Sequence, residues 1–356
     1  MVVGLLVVRA TGPDPRVGDD DFGVFFAAAA AIAGRHSPYV GDYVSPPWFA
    51  MALVPLTALP LPAARALWLG LNLGLLLAAS ALASRLVGLD WPIRRVFLVG
   101  ALTGLVPAVE FGLHLGQNSL LVWVLVLAAL LFAADRRFAA TGVLLALALL
   151  KPQLAWLFGV GMTALAWRQR SLRALVGAGT LTLVVLATAS AVVAPDSYAD
   201  LLSLKPRTWD YWGSTLALPA FLAWLSGAQW LGALLYLPTA LLGGAVVARL
   251  WDARASESLP YAASLTACAT LALAPYAYTY DAVLLDLPLL WILARVSDAW
   301  DRALPVSVVI FAVALLAVVV VERPADYAPT RFVGVLAPLV VLGAVWLLER
   351  QRWPAE

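Results

Sequence analysis

Residues 119–134, SLLVWVLVLAALLFAA, contain no charged side chain, no proline and no glycine. A helix of this length would span roughly 24 Å, close to the roughly 30 Å of a bilayer's hydrocarbon core. The stretch lacks the alternation of polar and apolar residues that marks an outer-membrane barrel strand. Because a helix satisfies its own backbone hydrogen bonds, this stretch predicts a transmembrane helix.

Similar apolar runs recur along all 356 residues, of which 63% are hydrophobic and 12% charged, with a mean hydropathy of +0.90. Runs bounded by charge, proline or glycine predict crossings near 66–84, 96–113, 119–134, 138–150, 154–167, 174–194, 229–248, 259–274, 282–296, 303–321 and 332–348. We expect an all-α polytopic membrane protein, a single domain over 1–356 with about 10–12 transmembrane helices and no large soluble domain.

Three further apolar segments are short or broken by proline, and we interpret 22–34, 47–61 and 213–227 as interfacial or re-entrant helices. The first two would belong to a first extracytoplasmic loop over 19–62, and the third to a second such loop over 195–227. A full crossing by 47–61 would invert the sidedness of all later segments. Residues 1–8 are apolar but too short to cross, which favours a first transmembrane helix that has lost its beginning.

The basic residues indicate the orientation, because cytoplasmic loops carry an excess of Arg and Lys. Arginines fall in every second connection, at 85–95, 136–137, 168–173, 249–254, 295–302 and 350–352. The opposite side receives residues 19–21, 114–118, 151–153, 195–212, 275–281 and 322–331. The unusual polar motifs therefore share one face, predicted to be extracytoplasmic. Dispersed basic residues and a net charge of +2 do not indicate a nucleic-acid partner.

Three carboxylates stand in a row at Asp19, Asp20 and Asp21, before Phe22 and an apolar helix. One of them could simply cap that helix, but a cap needs a single aspartate, so we favour a functional role for the cluster. The same oxygens could hold a divalent cation, although such cations usually need more convergent oxygen ligands. We assign no metal site and no cofactor.

The other polar motifs each have a structural alternative. Gln117 and Asn118 are either helix caps or partners for sugar hydroxyls, and a single His114 is more often structural. Lys151, before Pro152, either reaches the interface or holds a phosphate.

Residues 274–281, APYAYTYD, carry three tyrosines that form an interfacial aromatic belt or stack on a sugar. Lys205 and Arg207 lie in an aromatic-rich loop, for which an interfacial anchor is slightly favoured over a lipid-phosphate site. Glu110 and Asp286 lie within apolar runs and must face a polar interior or be protonated. The sequence has no HExxH, GxSxG or GxxxxGK motif.

Taken in order, these motifs resemble the bacterial GT-C-fold glycosyltransferases of family 87, which include polyprenyl-phosphate-mannose-dependent α-mannosyltransferases. The resemblance rests on residues 21–22, 34–39, 45–47, 116–118, 151–152 and 275–281. The chain differs from the family at Ser45, where an aromatic residue is common, and in its nearly absent first transmembrane helix.

The resemblance implies inverting transfer of a sugar, mannose in those members, from a polyprenyl-phosphate donor to a glycolipid or glycan hydroxyl on the extracytoplasmic face of the cell membrane. It places the general base at Asp21, with Asp20 as the neighbouring candidate. The phosphate-binding candidates, in falling order, are Lys151, Arg207, Lys205 and His114. The sugar- or acceptor-binding candidates are Gln117, Asn118, Gln153, Tyr278, Tyr280 and Asp281.

Two other functional classes stay open. A lipid or small-solute transporter would use Glu110, Lys151 and Asp286 as intramembrane charges, and a noncatalytic membrane scaffold would use none of these motifs chemically. Polar motifs gathered on one face argue against transport, since a transport path needs polar groups at both ends.

Overall fold

The computed structural model describes residues 20–89, 107–203, 229–254, 258–274, 277–298 and 328–350, with the isolated positions 92, 93, 95, 100, 103, 104, 217–219, 222, 226 and 227. Regular structure in these ranges is helical, and no β-strand occurs there. The α-helices are α1 (Asp21–Ala33), α2 (Pro47–Leu53), α3 (Leu61–Leu86), α4 (Pro107–Leu115), α5 (Ser119–Ala134), α6 (Phe138–Ala148), α7 (Pro152–Arg168), α8 (Leu172–Val193), α9 (Ser197–Ser203), α10 (Gln229–Arg254), α11 (Leu259–Leu273), α12 (Asp286–Asp298) and α13 (Ala328–Arg350). Two 3₁₀ helices, Val54–Ala58 and Thr279–Leu285, follow α2 and precede α12.

This architecture confirms the predicted all-α polytopic membrane fold. Three of the described helices are long and apolar enough to cross a bilayer: Leu61–Leu86, Leu172–Val193 and Leu234–Asp252. A bent pair formed by α4 and α5, with 118° between its halves, would make a fourth span. The predicted crossing near 303–321, part of the crossing near 96–113 and most of the predicted re-entrant segment 213–227 lie outside the described residues.

Two apolar segments form helices too short to cross the hydrocarbon core. The segment 138–150 forms α6, which has only 11 residues and rises about 16 Å. It ends there because the chain turns at Lys151 and restarts at Pro152, whose ring favours the first helical position. The segment 47–61, predicted to be interfacial or re-entrant, forms α2 and a 3₁₀ helix ending at Ala58, a broken element too short to span the hydrocarbon core.

Aromatic packing joins the central helices. Trp123 of α5 and Phe158 of α7 are fully buried, with ring centroids 5.8 Å apart. Trp251 of α10 packs so closely on α7 that a Cβ at Gly161 would collide with its ring. The indole of Trp251 also donates a hydrogen bond of 2.9 Å to Thr266 of α11. These aromatic contacts hold α5, α7, α10 and α11 against one another.

Candidate active site

Five polar side chains from distant parts of the chain meet at one end of the bundle. Gln117 Nε2 donates a hydrogen bond to Asp21 Oδ2, while Gln117 Oε1 accepts one from Lys151 Nζ at 2.9 Å. The ammonium group of Lys151 also donates to Ser119 Oγ at 2.8 Å and to Asp281 Oδ1 at 3.2 Å. We call Asp21, Gln117, Ser119, Lys151 and Asp281 the polar network.

Asp281 holds the lysine end of the polar network. Its side chain is fully buried, whereas that of Lys151 is 12% exposed. Asp281 accepts hydrogen bonds from Ser119 Oγ at 2.7 Å and from the Tyr278 amide at 3.0 Å. The ammonium also lies 4.6 Å from the centroid of the Tyr280 ring, where a cation is attracted to the π face. These partners hold the ion pair of Lys151 and Asp281 in one geometry.

The turn between α4 and α5 brings Gln117 to Asp21. Gly116 has a φ of +71°, a conformation that glycine adopts without strain. A Cβ at Gly116 would lie 2.6 Å from the Cβ of Phe22, and the Gly116 carbonyl accepts a hydrogen bond of 2.8 Å from the Trp68 indole. Only glycine allows α1 and α3 to approach the turn this closely.

The two adjacent aspartates at the start of α1 have different environments. Asp20 is the N-cap of α1, where its Oδ1 accepts the Gly23 amide at 3.1 Å, and its carboxylate pairs with Arg65 at 2.7 Å. The capping role considered from the sequence therefore belongs to Asp20. Asp21 belongs to the polar network, and Asp19 lies outside the described residues.

Burial raises the pKa of the Asp21 carboxyl above its usual value. The hydrogen bond from Gln117 and the charge of Lys151 oppose this rise, while the Asp20 and Asp281 carboxylates add to it. A carboxylate with a raised pKa is a stronger base than an exposed aspartate. The environment of Asp21 therefore makes its carboxylate more basic, a property that a general base shares.

The remaining candidates that the structure describes lie in several different elements. Asn118 is fully buried, and neither of its side-chain polar atoms has a hydrogen-bond partner in the described part of the chain. Gln153 is buried in the first turn of α7, and the rings of Tyr278 and Tyr280 lie 5.3 Å apart. His114 lies in the last turn of α4. Lys205 and Arg207 lie outside the described residues.

Two residues of this region were absent from the sequence-based candidates. Ser119 bridges Lys151 and Asp281, and Arg65 fixes Asp20. Arg65 carried a usable signal, because it lies at the start of α3, apart from the basic connections at the other end of the helices. Among the described residues, no group of three or more His, Cys, Asp and Glu side chains is arranged to hold a metal ion.

An all-α membrane fold with a buried cluster of charges at one end fits the class of integral-membrane transferases. The model of glycosyltransferase family 87 matches residues 43–275, more than half of the chain. The protein therefore belongs to glycosyltransferase family 87. No curated protein and no solved structure matches the chain at a significant level. The matched range contains Gln117, Ser119 and Lys151, whereas Asp21 and Asp281 lie outside it.

Proposed function

We propose that the protein transfers a sugar, mannose, from a polyprenyl-phosphate donor to a hydroxyl group of a glycolipid or glycan on the extracytoplasmic face of the cell membrane. Membership of the family supports glycosyl transfer. The observation that carries the mechanism is that Gln117 bridges the partly buried carboxylate of Asp21 and the ammonium group of Lys151.

Asp21 acts as the general base. An alcohol is a weak nucleophile at neutral pH, so its proton must leave as its oxygen bonds to the anomeric carbon. The proton passes to the Asp21 carboxylate, and the bond between the anomeric carbon and the donor phosphate oxygen breaks in the same displacement. Polyprenyl phosphate leaves with the bonding electrons, and a single displacement inverts the anomeric centre.

Lys151 neutralises the charge that develops on the departing phosphate. A fixed cation at this position stabilises the transition state without any reorganisation. In this structure Gln117 and Ser119 accept hydrogen bonds from the Lys151 ammonium group. The donor phosphate would accept these hydrogen bonds in their place. His114, Lys205 and Arg207 are further phosphate ligands in this proposal, while Asn118, Gln153 and the two tyrosines bind the sugar and the acceptor.

The packing between the two ends of the bundle supports transfer over transport. Fully buried apolar side chains, including Trp123, Leu127 and Phe158, fill the middle of α5 and α7. The charges of Lys151 and Asp281 therefore stay at one end, next to a membrane boundary where a lipid-linked donor can enter sideways. The distribution of arginines supports an extracytoplasmic position for that end.

The direct test is radiolabelled mannose transfer from polyprenyl-phosphate mannose by the purified protein in lipid nanodiscs with extracted membrane acceptors. We expect Asp21→Asn to lower turnover by about 10²- to 10⁴-fold, while donor binding is kept and the unfolding temperature does not fall. Asp20→Asn is the matched control, because asparagine also caps helices and the residue lies outside the polar network. Full turnover by Asp21→Asn would overturn the role of Asp21 as the base. Transfer of a different sugar from a polyprenyl-linked donor would overturn only the identity of the sugar as mannose.

A further inference from the structure

A cavity of about 480 Å³ lies at the end of the bundle opposite the polar network. It is formed where α3, α5 and α7 end, where α11 begins and where α12 nears its end. Along α5, which has 16 residues, the two ends are about 24 Å apart. The volume falls within the roughly 300–1,000 Å³ of small-molecule sites. The cavity is thus separate from the candidate active site.

The charge of this cavity is positive. Arg136 and Arg295 line it, together with Gln169 and Ser258, and no acidic residue is among its described lining. Neither arginine forms an ion pair with a carboxylate of the described residues. The guanidinium of Arg295 lies 5.1 Å from the centroid of the Trp291 ring, a contact that leaves its N–H groups available.

Arg136 occupies a backbone position that usually belongs to glycine. It follows the C-terminal end of α5 with a φ of +58°, the left-handed conformation in which helices commonly place glycine. Its side chain also lines a second cavity, of about 450 Å³, with Arg137 and Ser171. Arg136 therefore reaches both cavities from the turn that follows α5.

The polar partners of this cavity complement a phosphate that carries hydroxyl groups. The Oε1 atom of Gln169 is buried and lacks a hydrogen-bond donor among the described residues. Ser258, the N-cap of α11, makes no side-chain capping bond, so its hydroxyl can meet a ligand, and the helix dipole at this end also favours an anion. A phosphate would accept from the arginines, and a glycerol hydroxyl would donate to Gln169.

We propose that this cavity binds the headgroup of an anionic glycerophospholipid. Basic pockets between transmembrane helices recognise such headgroups, and the arginine distribution predicts that this end of the bundle faces the cytoplasmic leaflet. The bound lipid would join the ends of five helices, and it would therefore stabilise the bundle. This inference does not depend on the proposed transferase activity.

The test compares the unfolding temperature of detergent-purified protein with and without added phosphatidylglycerol, and native mass spectrometry counts the bound lipids. We expect phosphatidylglycerol to raise the unfolding temperature and phosphatidylcholine to leave it unchanged. The double variant Arg136→Gln/Arg295→Gln should lose at least half of the rise. Arg85→Gln/Arg173→Gln is the matched control, because it removes two exposed arginines of the same end that do not line the cavity.

A second variant covers the case in which the double variant does not fold. Gln169→Glu keeps both arginines but adds a negative charge beside them, and it should also reduce the effect of phosphatidylglycerol. Equal lipid responses in all variants would overturn the proposal. An equal rise with soluble glycerophosphoglycerol would instead identify a site for a free phosphate ester, and would overturn the lipid as its occupant.

Discussion

A single residue, Gln117, connects the carboxylate and the ammonium group of the polar network. Its amide nitrogen donates to Asp21, and its amide oxygen accepts from Lys151. The neutral amide therefore lets a carboxylate and an ammonium group be held close together without forming a direct ion pair. A direct pair would lower the pKa of Asp21 and weaken it as a base.

Replacing this amide by a carboxylate tests the arrangement. In Gln117→Glu two carboxylates would face each other, so the pKa of Asp21 should rise further. A base works only when it is ionised, and activity is lost as the pH falls through its pKa. We therefore expect the acid limb of the pH–rate profile to move to higher pH. Gln117→Met removes the hydrogen bond that lowers the pKa of Asp21 but adds no charge, so it should move the acid limb less far than Gln117→Glu does. A shift in Gln117→Glu no larger than that in Gln117→Met would contradict the coupling.

Asp281 is predicted to support stability more than chemistry. Asp281→Asn would leave the buried ammonium of Lys151 without its carboxylate, and breaking a buried ion pair typically costs about 3–5 kcal/mol. Ser119→Ala removes one neutral bridge from the same cluster and should cost about 1 kcal/mol. Denaturant unfolding in detergent would measure both. An Asp281→Asn variant as stable as the Ser119→Ala variant would show that the ion pair does not stabilise the fold.

The turn between α4 and α5 sets the geometry at the scale of the element. In Gly116→Ala the new methyl group would collide with Phe22, so α1 must move and Asp21 should separate from Gln117. Gly88→Ala is a matched control, because Gly88 has a φ of +79° but nothing lies within 4 Å of its added Cβ. We expect both variants to show the backbone cost of roughly 1–2 kcal/mol, and only Gly116→Ala to lose activity.

The unfolding temperature and the rate of sugar transfer would be measured for both glycine variants. Together they distinguish the cost of backbone strain from the effect of moving α1. If Gly88→Ala and Gly116→Ala had the same stability and the same activity, close contact at the turn would have no functional role.

Helix boundaries were predictable where the sequence changes abruptly. The segment 22–34 became α1 (Asp21–Ala33), and 174–194 became α8 (Leu172–Val193), because charges and turns border these apolar runs. A turn between the segments 96–113 and 119–134 was predicted, but its angle of 118° between α4 and α5 was not, since hydropathy records where a chain is apolar and not its direction. Pairings such as Ser119 with Asp281 were hidden for the same reason: periodicity does not show which distant polar groups meet.

At the scale of the whole molecule the two ends of the bundle carry different chemistry. The polar network contains both signs of charge in a closed set of contacts, whereas the opposite cavity has arginines without acidic partners among its described lining. This difference was anticipated in part, because the sequence placed residues 21, 114–118, 151–153 and 275–281 on one face. The orientation of that face in the cell stays a prediction that labelling can test.

Single-cysteine labelling would measure this orientation directly. Cys268 is the only cysteine in the sequence and is fully buried, so a Cys268→Ala background removes it. We expect Val44→Cys, at a position 58% exposed in the predicted first outer loop, to react with a membrane-impermeant maleimide on intact cells. Arg173→Cys, at an exposed position at the start of α8, should react only after permeabilisation, because it lies on the arginine-rich side.

Labelling of both positions from the same side would mean that the chain between them crosses the membrane an even number of times. The reverse pattern would place the polar network in the cytoplasm, where an extracytoplasmic lipid-linked donor could not reach it.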